Sequence, residues 1–220
     1  MLTVMDQPAH PDPRSSQPAD AKAAAADGIA AAARDEDTLE AVGEPVALDE
    51  LSIRRALSEF TTGVTIVATE DQGERVGFAC QSFSSLSLDP PMVLFTVMKS
   101  SRSWPHIRKT GRFSVNVLSA EQEEISAAFG RRGGPKFAVG QWQTSARGNP
   151  LLHGSVVWFD CEIADVFPGG DHYIVTANIV AIGRRDDTAP LIYHRGSYAQ
   201  VLHPGHDAPS GQQWRQRPSV

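Results

Sequence analysis

The run from Gly77 to Pro91 carries an unusual density of small hydroxyl residues. It leaves a predicted strand over Val76–Ser82, continues through several serines and ends at Pro90-Pro91. Such a stretch offers backbone N–H groups, short hydroxyls and little bulk, which suits a flat ring with polar edges such as an isoalloxazine. The alternative interpretation is a serine-rich loop whose hydroxyls only serve as caps and turns.

A second group of residues has the chemistry to bind an anion. The segment Lys99–Trp104 places hydroxyls and Arg102 at the start of a predicted helix over Ser101–Lys109. Free N–H groups and the helix dipole attract phosphate at such a position. Lys136 follows the glycine-rich stretch Gly130–Gly134 and adds a further cation. The alternatives are a capped surface helix with a solvated arginine, and a lysine that is simply exposed.

Gly169-Gly170-Asp171 predicts a tight hairpin turn, and His172 enters the strand that follows. A histidine there can hydrogen-bond a carboxamide or lie over a flat ring, although a lone histidine also serves structural roles. Asp160 and Glu162 are two apart on one predicted strand and so share a face. They have the residue types of a glycosidase dyad, but neighbours on one strand are usually a polar surface.

Several catalytic motifs are absent from the sequence. It has no nucleophile elbow, no HExxH, no P-loop and no GxGxxG after a strand. A hydrolase or a Rossmann nucleotide site is therefore not expected. Redox chemistry with a bound cofactor is favoured, because the cofactor supplies the reactivity and few catalytic side chains are needed.

The charge of the 220-residue chain is unevenly placed. Residues 1–50 hold 11 acidic and 3 basic side chains, so the remaining 170 residues hold 15 acidic and 17 basic ones, a net +2. A body so near neutrality, without basic and aromatic residues interleaved, argues against an oligonucleotide-binding barrel. A local patch for an anionic dinucleotide remains compatible with this balance.

Cys80 and Cys161 lie far apart, with no CxxC and no Cys/His cluster, so neither a disulfide framework nor a metal site is expected. The sequence has no run of 18 apolar residues and no secretory signal pattern. We expect no membrane association and a cytoplasmic location.

Composition divides the chain into a disordered Ala/Pro/Asp-rich arm over 1–47, a folded body over 48–202 and a flexible tail over 203–220. In the body, Asp49 is a plausible N-cap for a helix whose apolar face carries Ile53, Ala56, Leu57 and Phe60. Ser119 and Gln122 form a capping box for a second helix that turns Ile125, Ala128 and Phe129 inward.

Short β-type runs make up most of the rest, with Asp71-Gln72-Gly73 as a turn between the first two. These predicted strands are Val64–Thr69, Val76–Ser82, Met92–Val97, Phe113–Leu118, Val156–Val166, Tyr173–Gly183 and Leu191–Tyr193. Many strands, few short helices and no regular βαβ alternation favour a mainly β fold, an antiparallel barrel with peripheral helices.

Six ordered segments between about Ile53 and Tyr198 resemble the short-chain flavin reductases with an FMN-binding split β-barrel of antiparallel Greek-key type. These enzymes are the reductase components of two-component flavin-dependent monooxygenases that act in aromatic or steroid catabolism. The Cys80–Phe83 sequence is most similar to that of the reductase of a steroid-degrading hydroxylase. The segments are Phe60–Val67, Gly77–Pro91, Ser101–Trp104, Phe113–Leu118, Gly170-Asp171-His172 and Leu191–Gly196.

The resemblance implies a role for particular residues. The flavin ring and ribityl chain would lie against Cys80, Gln81, Ser82, Phe83, Ser84, Leu86 and Ser87. The flavin phosphate would be held by Ser101, Arg102 and Ser103, with Lys136 nearby. The nicotinamide-side wall would consist of Gly170, Asp171, His172 and Tyr173, with His172 as the catalytic residue.

The resemblance also implies an NAD(P)H:flavin oxidoreductase that transfers hydride from nicotinamide C4 to flavin N5. This transfer needs the two rings stacked at roughly 3–3.5 Å. Dipoles or a cation near N1 would stabilise the charge of the reduced ring. The expected assembly is a homodimer that supplies diffusible reduced flavin to a separate monooxygenase. A site of hydroxyls and backbone groups, largely without aromatic clamps, suits such exchange.

Two alternatives stay open at this point: a split-barrel oxidase that retains its flavin, and a non-enzymatic flavin-binding protein. The sequence does not choose FMN over FAD or NADH over NADPH, nor does it identify the partner oxygenase. A 2′-phosphate would need an extra cation, for which Arg131, Arg132, Arg184 and Arg185 are candidates.

Overall fold

The computed structural model describes residues 43–186, 188–199 and 201. Residues 1–42 of the predicted arm and the whole predicted tail over 203–220 lie outside the described residues. The helices are α1 (Glu50–Ser58), α2 (Trp104–Thr110) and α3 (Glu123–Gly130), with a 3₁₀ turn over Lys136–Ala138. The strands are β1 (Thr62–Gly63), β2 (Thr65–Asp71), β3 (Glu74–Cys80), β4 (Ser84–Leu88), β5 (Pro91–Met98), β6 (Arg112–Val117), β7 (Trp142–Thr144), β8 (Pro150–Leu152), β9 (Val157–Gly169), β10 (His172–Arg184), β11 (Ile192–His194) and β12 (Ser197–Ala199).

Seven strands form one antiparallel sheet in the order β3-β2-β6-β9-β10-β5-β4. Its inner face encloses a core in which Phe95 and Phe113 meet edge to face, with ring centroids 5.2 Å apart. A second cluster, centred on Ile66, Leu118 and Phe129, packs α3 against the outer face of β2 and β3. The predicted mainly β, antiparallel architecture with peripheral helices is confirmed.

The two predicted hairpin turns are also confirmed. β2 passes into β3 through Gln72 and Gly73, with φ values of 53° and 83°. Both residues of a type I′ turn need positive φ, and asparagine or glycine normally supplies it, so Gln72 is a less common choice. β9 passes into β10 at Gly170, with φ of 64°. This second hairpin carries His172 on its first paired position.

The helix at the start of the body forms as predicted, but its apolar face is not covered in this chain. The Asp49 carboxylate accepts hydrogen bonds from the backbone N–H groups of Leu51 and Ser52, each at 3.0 Å. α1 has no buried residue, and Leu57 is 69% exposed. Phe60, just beyond the helix, is 77% exposed.

The predicted capping box forms only in part: the Gln122 side-chain oxygen accepts from the Ser119 N–H at 3.0 Å, but the N-cap of α3 is Gln122 and no side chain caps the helix. Of the three residues predicted to turn inward, Ile125 and Phe129 are buried and Ala128 is half-buried. α3 itself begins after Gln122.

Two expectations about the local structure were wrong. The predicted helix over Ser101–Lys109 begins later, at Trp104, and Ser101 belongs instead to a turn in which its N–H donates to the Met98 carbonyl at 2.9 Å. The hydroxyl-rich stretch is not only a loop, since β4 (Ser84–Leu88) pairs with β5 at the edge of the sheet. An edge strand pairs on one side only, so polar residues are tolerated there and the hydrophobic alternation is weak.

The two acidic residues on β9, Asp160 and Glu162, lie in different environments. Asp160 is buried and accepts a hydrogen bond from the Asn149 amide at 2.6 Å, whereas Glu162 forms an ion pair with Arg147 at the surface. They therefore contribute to structure, and the polar-surface interpretation holds for Glu162 only. Within the described residues, no helix is both long and apolar enough to cross a membrane.

Gly183 provides a test of how tightly the paired long strands are packed. It lies opposite Trp158 across β9 and β10, and a Cβ at Gly183 would overlap the indole ring. We expect Gly183→Ala to lower the free energy of unfolding by about 1–3 kcal/mol, because overpacking moves a rigid ring. Urea denaturation measures this change.

Gly63→Ala is the matched control, since a Cβ there would meet no atom within 4 Å. If Gly183→Ala were as stable as the control, the position of the Trp158 ring would not depend on the absence of a side chain at Gly183.

Candidate functional site

A cavity of about 1040 Å³ opens between the end of β3, the turn after β5 and the loop after α3. Eight of the residues singled out from the sequence line it: Cys80, Gln81, Ser82, Ser101, Arg102, Ser103, Lys136 and His172. Seven others lie outside its lining: Phe83, Ser84, Leu86, Ser87, Gly170, Asp171 and Tyr173. The structure therefore brings together part of each predicted group around one space.

The wall from β3 is held by the Ser82 hydroxyl. This hydroxyl accepts from the Thr96 N–H at 2.9 Å and donates to the Thr96 carbonyl at 3.1 Å, which ties the end of β3 to β5. The Ser82 side chain thus joins two strands of the sheet that do not pair through their backbones. Gln81, next to it, is exposed to the cavity side and free to meet a ligand.

Cys80 forms part of the cavity wall but is not a reactive thiol. Its side chain is 5% exposed, and Sγ lies 3.3 Å from the Ser82 hydroxyl oxygen. Burial raises the pKa of the Cys80 thiol, so the thiol stays neutral near pH 7. Burial likewise raises the pKa of Cys161, in the core, to about 12.

The rest of the hydroxyl-rich segment turns away from the cavity. The Phe83 ring packs against Phe159, with centroids 5.6 Å apart, and joins the core. Ser84, Leu86 and Ser87 belong to the edge strand β4, where Leu86 is 46% exposed. In this single chain they form an open surface beside the cavity.

The predicted phosphate corner is built by side-chain contacts more than by the helix. The Ser103 hydroxyl makes no capping bond to α2 but donates to the Gly77 carbonyl on β3 at 2.9 Å. Ser101 and the exposed Arg102 stay available at the cavity edge. A cation and a free hydroxyl suit a phosphate ester.

Asp71 fixes the position of α2 behind this corner. Its carboxylate accepts from the Lys109 ammonium at 2.8 Å and contacts the His106 ring at 2.9 Å. The hydrogen bond from Lys109, followed by the contact with His106, holds the pKa of Asp71 below its usual value of 3.8. Because His106 and Lys109 both belong to α2, these two contacts with Asp71 hold the helix, and Ser103 just before it, in position.

The opposite wall comes from the loop after α3. Gly133 and Gly134 both have positive φ, at 79° and 81°, a conformation that glycine adopts without strain. Lys136 donates to the Phe129 carbonyl at 2.8 Å, and its half-burial lowers the pKa of its ammonium group. Lys136 thus closes the end of α3 and holds the loop, in addition to lining the cavity.

His172 is the one predicted nicotinamide-wall residue that lines the cavity. Its Nδ1 lies 2.7 Å from the Asp171 carboxylate, and this hydrogen bond lowers the pKa of Asp171. A carboxylate only accepts, so Nδ1 donates in this contact and Nε2 is the ring nitrogen left to face a ligand. Asp171 therefore orients the histidine from outside the cavity.

The hairpin that carries His172 is fastened to the turn after β5. Lys99 donates its ammonium to the Gly170 carbonyl at 2.5 Å and its backbone N–H to the Asp171 carbonyl at 2.9 Å. The Tyr173 ring packs on Trp104 with centroids 5.8 Å apart. Tyr173 and Gly170 thus support the hairpin from behind.

Gly77 is the important site residue that sequence reasoning did not single out. A Cβ there would lie 2.8 Å from the Val67 carbonyl and 3.2 Å from the Phe129 ring. Its place within the resembling segment was visible, but the close approach of α3 was not. Arg131 and Arg132, unplaced in the sequence, line the cavity, whereas Arg184 and Arg185 do not.

The lining suits a flavin. Phe78, Ala79 and Phe137 give the cavity apolar surface, while the Ser101–Ser103 edge and the loop after α3 give it hydroxyls and cations. An isoalloxazine is apolar with polar edges, and its chain ends in an anionic phosphate. The cavity therefore offers both kinds of contact that one such molecule requires.

Comparisons with known proteins agree with this assignment. The flavin reductase like domain family matches residues 57–202. The reductase subunit HsaB of a flavin-dependent monooxygenase from Rhodococcus jostii is 44% identical over 155 residues, covering 70% of this chain and 80% of the relative.

Solved structures with the same fold confirm the split barrel. Nitrilotriacetate monooxygenase component B from Mycobacterium thermoresistibile is 41% identical with a TM-score of 0.68, covering 77% of this chain and 96% of the other. The NADH:FAD oxidoreductase SgcE6 of Streptomyces globisporus, solved with NAD and FAD fragments, is 29% identical with a TM-score of 0.70. That match covers 77% of this chain and all of the other.

Asp71→Asn tests the anchoring of α2. We expect the variant to be less stable than the unchanged protein at pH 7, because an amide does not attract Lys109. A carboxyl whose folded-state pKa is depressed stabilises the fold above its unfolded-state pKa, and this contribution is lost as pH falls through the folded-state value. The stability difference should therefore persist from pH 7 down to about 3.8 and shrink below it.

Denaturant unfolding at several pH values measures that difference. Asp186→Asn is the control, because Asp186 is 82% exposed and forms a long ion pair with Arg184 at 3.5 Å. A stability difference that grew as the pH fell would contradict the assignment.

Proposed function

The chain belongs to the flavin reductase family, and on that premise we propose that it releases reduced flavin by diffusion to a separate monooxygenase and acts as a homodimer. It is an oxidoreductase that reduces FMN or FAD with a reduced nicotinamide. Reductase components of two-component monooxygenases act with a separate oxygenase, which is the partner implied here. The observation that carries the proposal is the cavity that joins the β3 wall, the Arg102 corner and His172.

When bound, a reduced nicotinamide and a flavin would supply the hydride-transfer chemistry, and the residues of this chain would hold the two rings. Gln81 and Ser82 on the β3 wall would contact the flavin, and the Ser101-Arg102 edge would hold its phosphate. His172, held at Nδ1 by Asp171, would offer Nε2 to the carboxamide of the nicotinamide. Hydride transfer needs little proton transfer from the protein, so a single histidine beside the two rings is enough for the reaction.

An aromatic cluster at the cavity supports exchange of the flavin; Phe129 and Phe137 belong to the lining, and Trp142 packs on them from outside it. Phe129 is 1% exposed, and the Phe137 and Trp142 rings pack on it and on each other at 4.8–5.5 Å. These three rings pack on one another. A flavin held by hydroxyls, backbone groups and arginines dissociates more readily than one sandwiched between rings.

The exposed apolar surface of α1 supports the homodimer. Ile53, Leu57 and Phe60 are 41%, 69% and 77% exposed, on one side of a short segment. Contiguous apolar surface of this kind on a folded chain marks an interaction site. A second copy packed on it would cover these side chains.

Anaerobic stopped-flow absorbance with NADH or NADPH and excess FMN or FAD tests the proposal. We expect all of the added flavin to bleach over many turnovers, because each reduced molecule leaves the site. Bleaching that stops at one flavin per chain would instead support an oxidase that retains its flavin. Binding with no bleaching by either nicotinamide would support a non-enzymatic flavin-binding protein.

Asp171→Asn tests the orientation of His172. We expect the KM for the nicotinamide to rise about twofold to fivefold, a modest effect because the pair is exposed. The flavin dissociation constant should stay unchanged, since Asp171 lies outside the cavity lining. Steady-state kinetics and flavin fluorescence quenching measure the two quantities.

The matched control is Asp165→Asn, which removes an exposed carboxylate elsewhere on the same hairpin. An unchanged nicotinamide KM in Asp171→Asn would remove Asp171 from this role.

A further inference from the structure

Three arginines line the cavity without an acidic partner among the described residues: Arg102, Arg131 and Arg132. The other two cations of the lining are occupied. Arg75 is paired with Glu70 at 3.3 Å, and the Lys136 ammonium donates to the Phe129 carbonyl. In the described lining only Glu74 carries a negative charge. The excess of unpaired positive charge favours an anionic ligand.

These arginines lie on two edges of the cavity, Arg102 in the turn after β5 and Arg131 and Arg132 in the loop after α3. Arg102 precedes Ser103, whose hydroxyl is 2.9 Å from the Gly77 carbonyl. Arg131 follows α3 by one residue, and the Phe129 ring near the end of α3 lies against Gly77 as well. Both segments are therefore built on the same residue of β3, with one arginine on the first edge and two on the second.

A single flavin phosphate does not need all three arginines. The Ser101-Arg102 edge already offers a guanidinium and a hydroxyl, which match a single phosphate ester. A second pair of guanidinium groups on another edge matches a second phosphate, because each planar group can bind two phosphate oxygens. Both side chains are exposed, so they meet the ligand with little prior desolvation.

The loop also has a suitable construction. Lys136 fixes its far end to α3, while Gly133 and Gly134 hold positive φ between the fixed end and the arginines. The backbone at Arg131 and Arg132 can therefore adjust to a phosphate without moving α3.

We propose that Arg131 and Arg132 form a second phosphate subsite that recognises the adenylate phosphate of a dinucleotide. The inference rests on the proposed function and deepens it, since it makes this loop a determinant of substrate choice. Two substrates carry such a phosphate, namely FAD beyond its ribityl phosphate and the nicotinamide dinucleotide. FMN and riboflavin do not reach this subsite.

The test compares Arg131→Gln/Arg132→Gln with a matched control, Arg184→Gln/Arg185→Gln, an adjacent arginine pair outside the lining. Fluorescence quenching gives the dissociation constants of riboflavin, FMN and FAD. Calorimetry gives those of ADP, NAD⁺ and NADP⁺. The first variant should bind ADP at least tenfold more weakly, with riboflavin and FMN changed less than twofold, and the control variant should match the unchanged protein.

The remaining ligands identify the source of the phosphate. Loss confined to FAD and ADP assigns the subsite to the flavin, whereas loss for ADP and for both NAD⁺ and NADP⁺ assigns it to the electron donor. Loss confined to NADP⁺ would place the arginines at the 2′-phosphate and overturn the proposal. Unchanged ADP binding, or an equal loss for riboflavin and FMN, overturns the proposal. ADP binding is measured without flavin reduction, so it decides the subsite even if the chain fails to bleach flavin. Thermal unfolding verifies that both variants are folded.

Discussion

The carbonyl and the missing side chain of Gly77 determine how the cavity is assembled. Because β3 carries no Cβ at this point, the Phe129 ring lies against the strand, and α3 comes close enough to set the start of its loop. The Gly77 carbonyl accepts from Ser103 and so sets the other edge. Two segments about 30 residues apart in sequence therefore meet at one strand position, and the cations they carry border one space.

A single polar side chain also joins two segments at the far side of the cavity. Ser82 joins the ends of β3 and β5 through one hydroxyl, which leaves the barrel open there instead of closed by a backbone ladder. The His172 hairpin pairs with β5 through the backbone, and the Lys99 side chain adds a hydrogen bond to the Gly170 carbonyl beyond the last pair. The two sides of the cavity are therefore held differently, by one hydroxyl at Ser82 and by a backbone ladder at His172.

This arrangement separates rigid from adjustable parts. The walls from β3, β5 and β10 belong to the continuous sheet, whose interior residues such as Phe95 and Val175 are fully buried. The loop after α3 is exposed and contains two glycines with positive φ. A substrate that must come and go is well served by a fixed surface for the ring and an adjustable one for the charged end.

The sequence by itself determined the long strands, the hairpin turns and the Asp49 cap of α1, because each depends on neighbours within a few residues. The order of its short motifs also determined the family. It did not determine β4, whose polar residues lack alternation, nor the true partner of Ser103, which is a carbonyl 26 positions away. Only the tertiary structure decided which serines face the cavity, that Asp171 lies behind His172, and that Arg131 and Arg132 border the same space as Arg102. Those facts depend on strands that pair far apart in sequence, and local residue pattern carries no information about such distances.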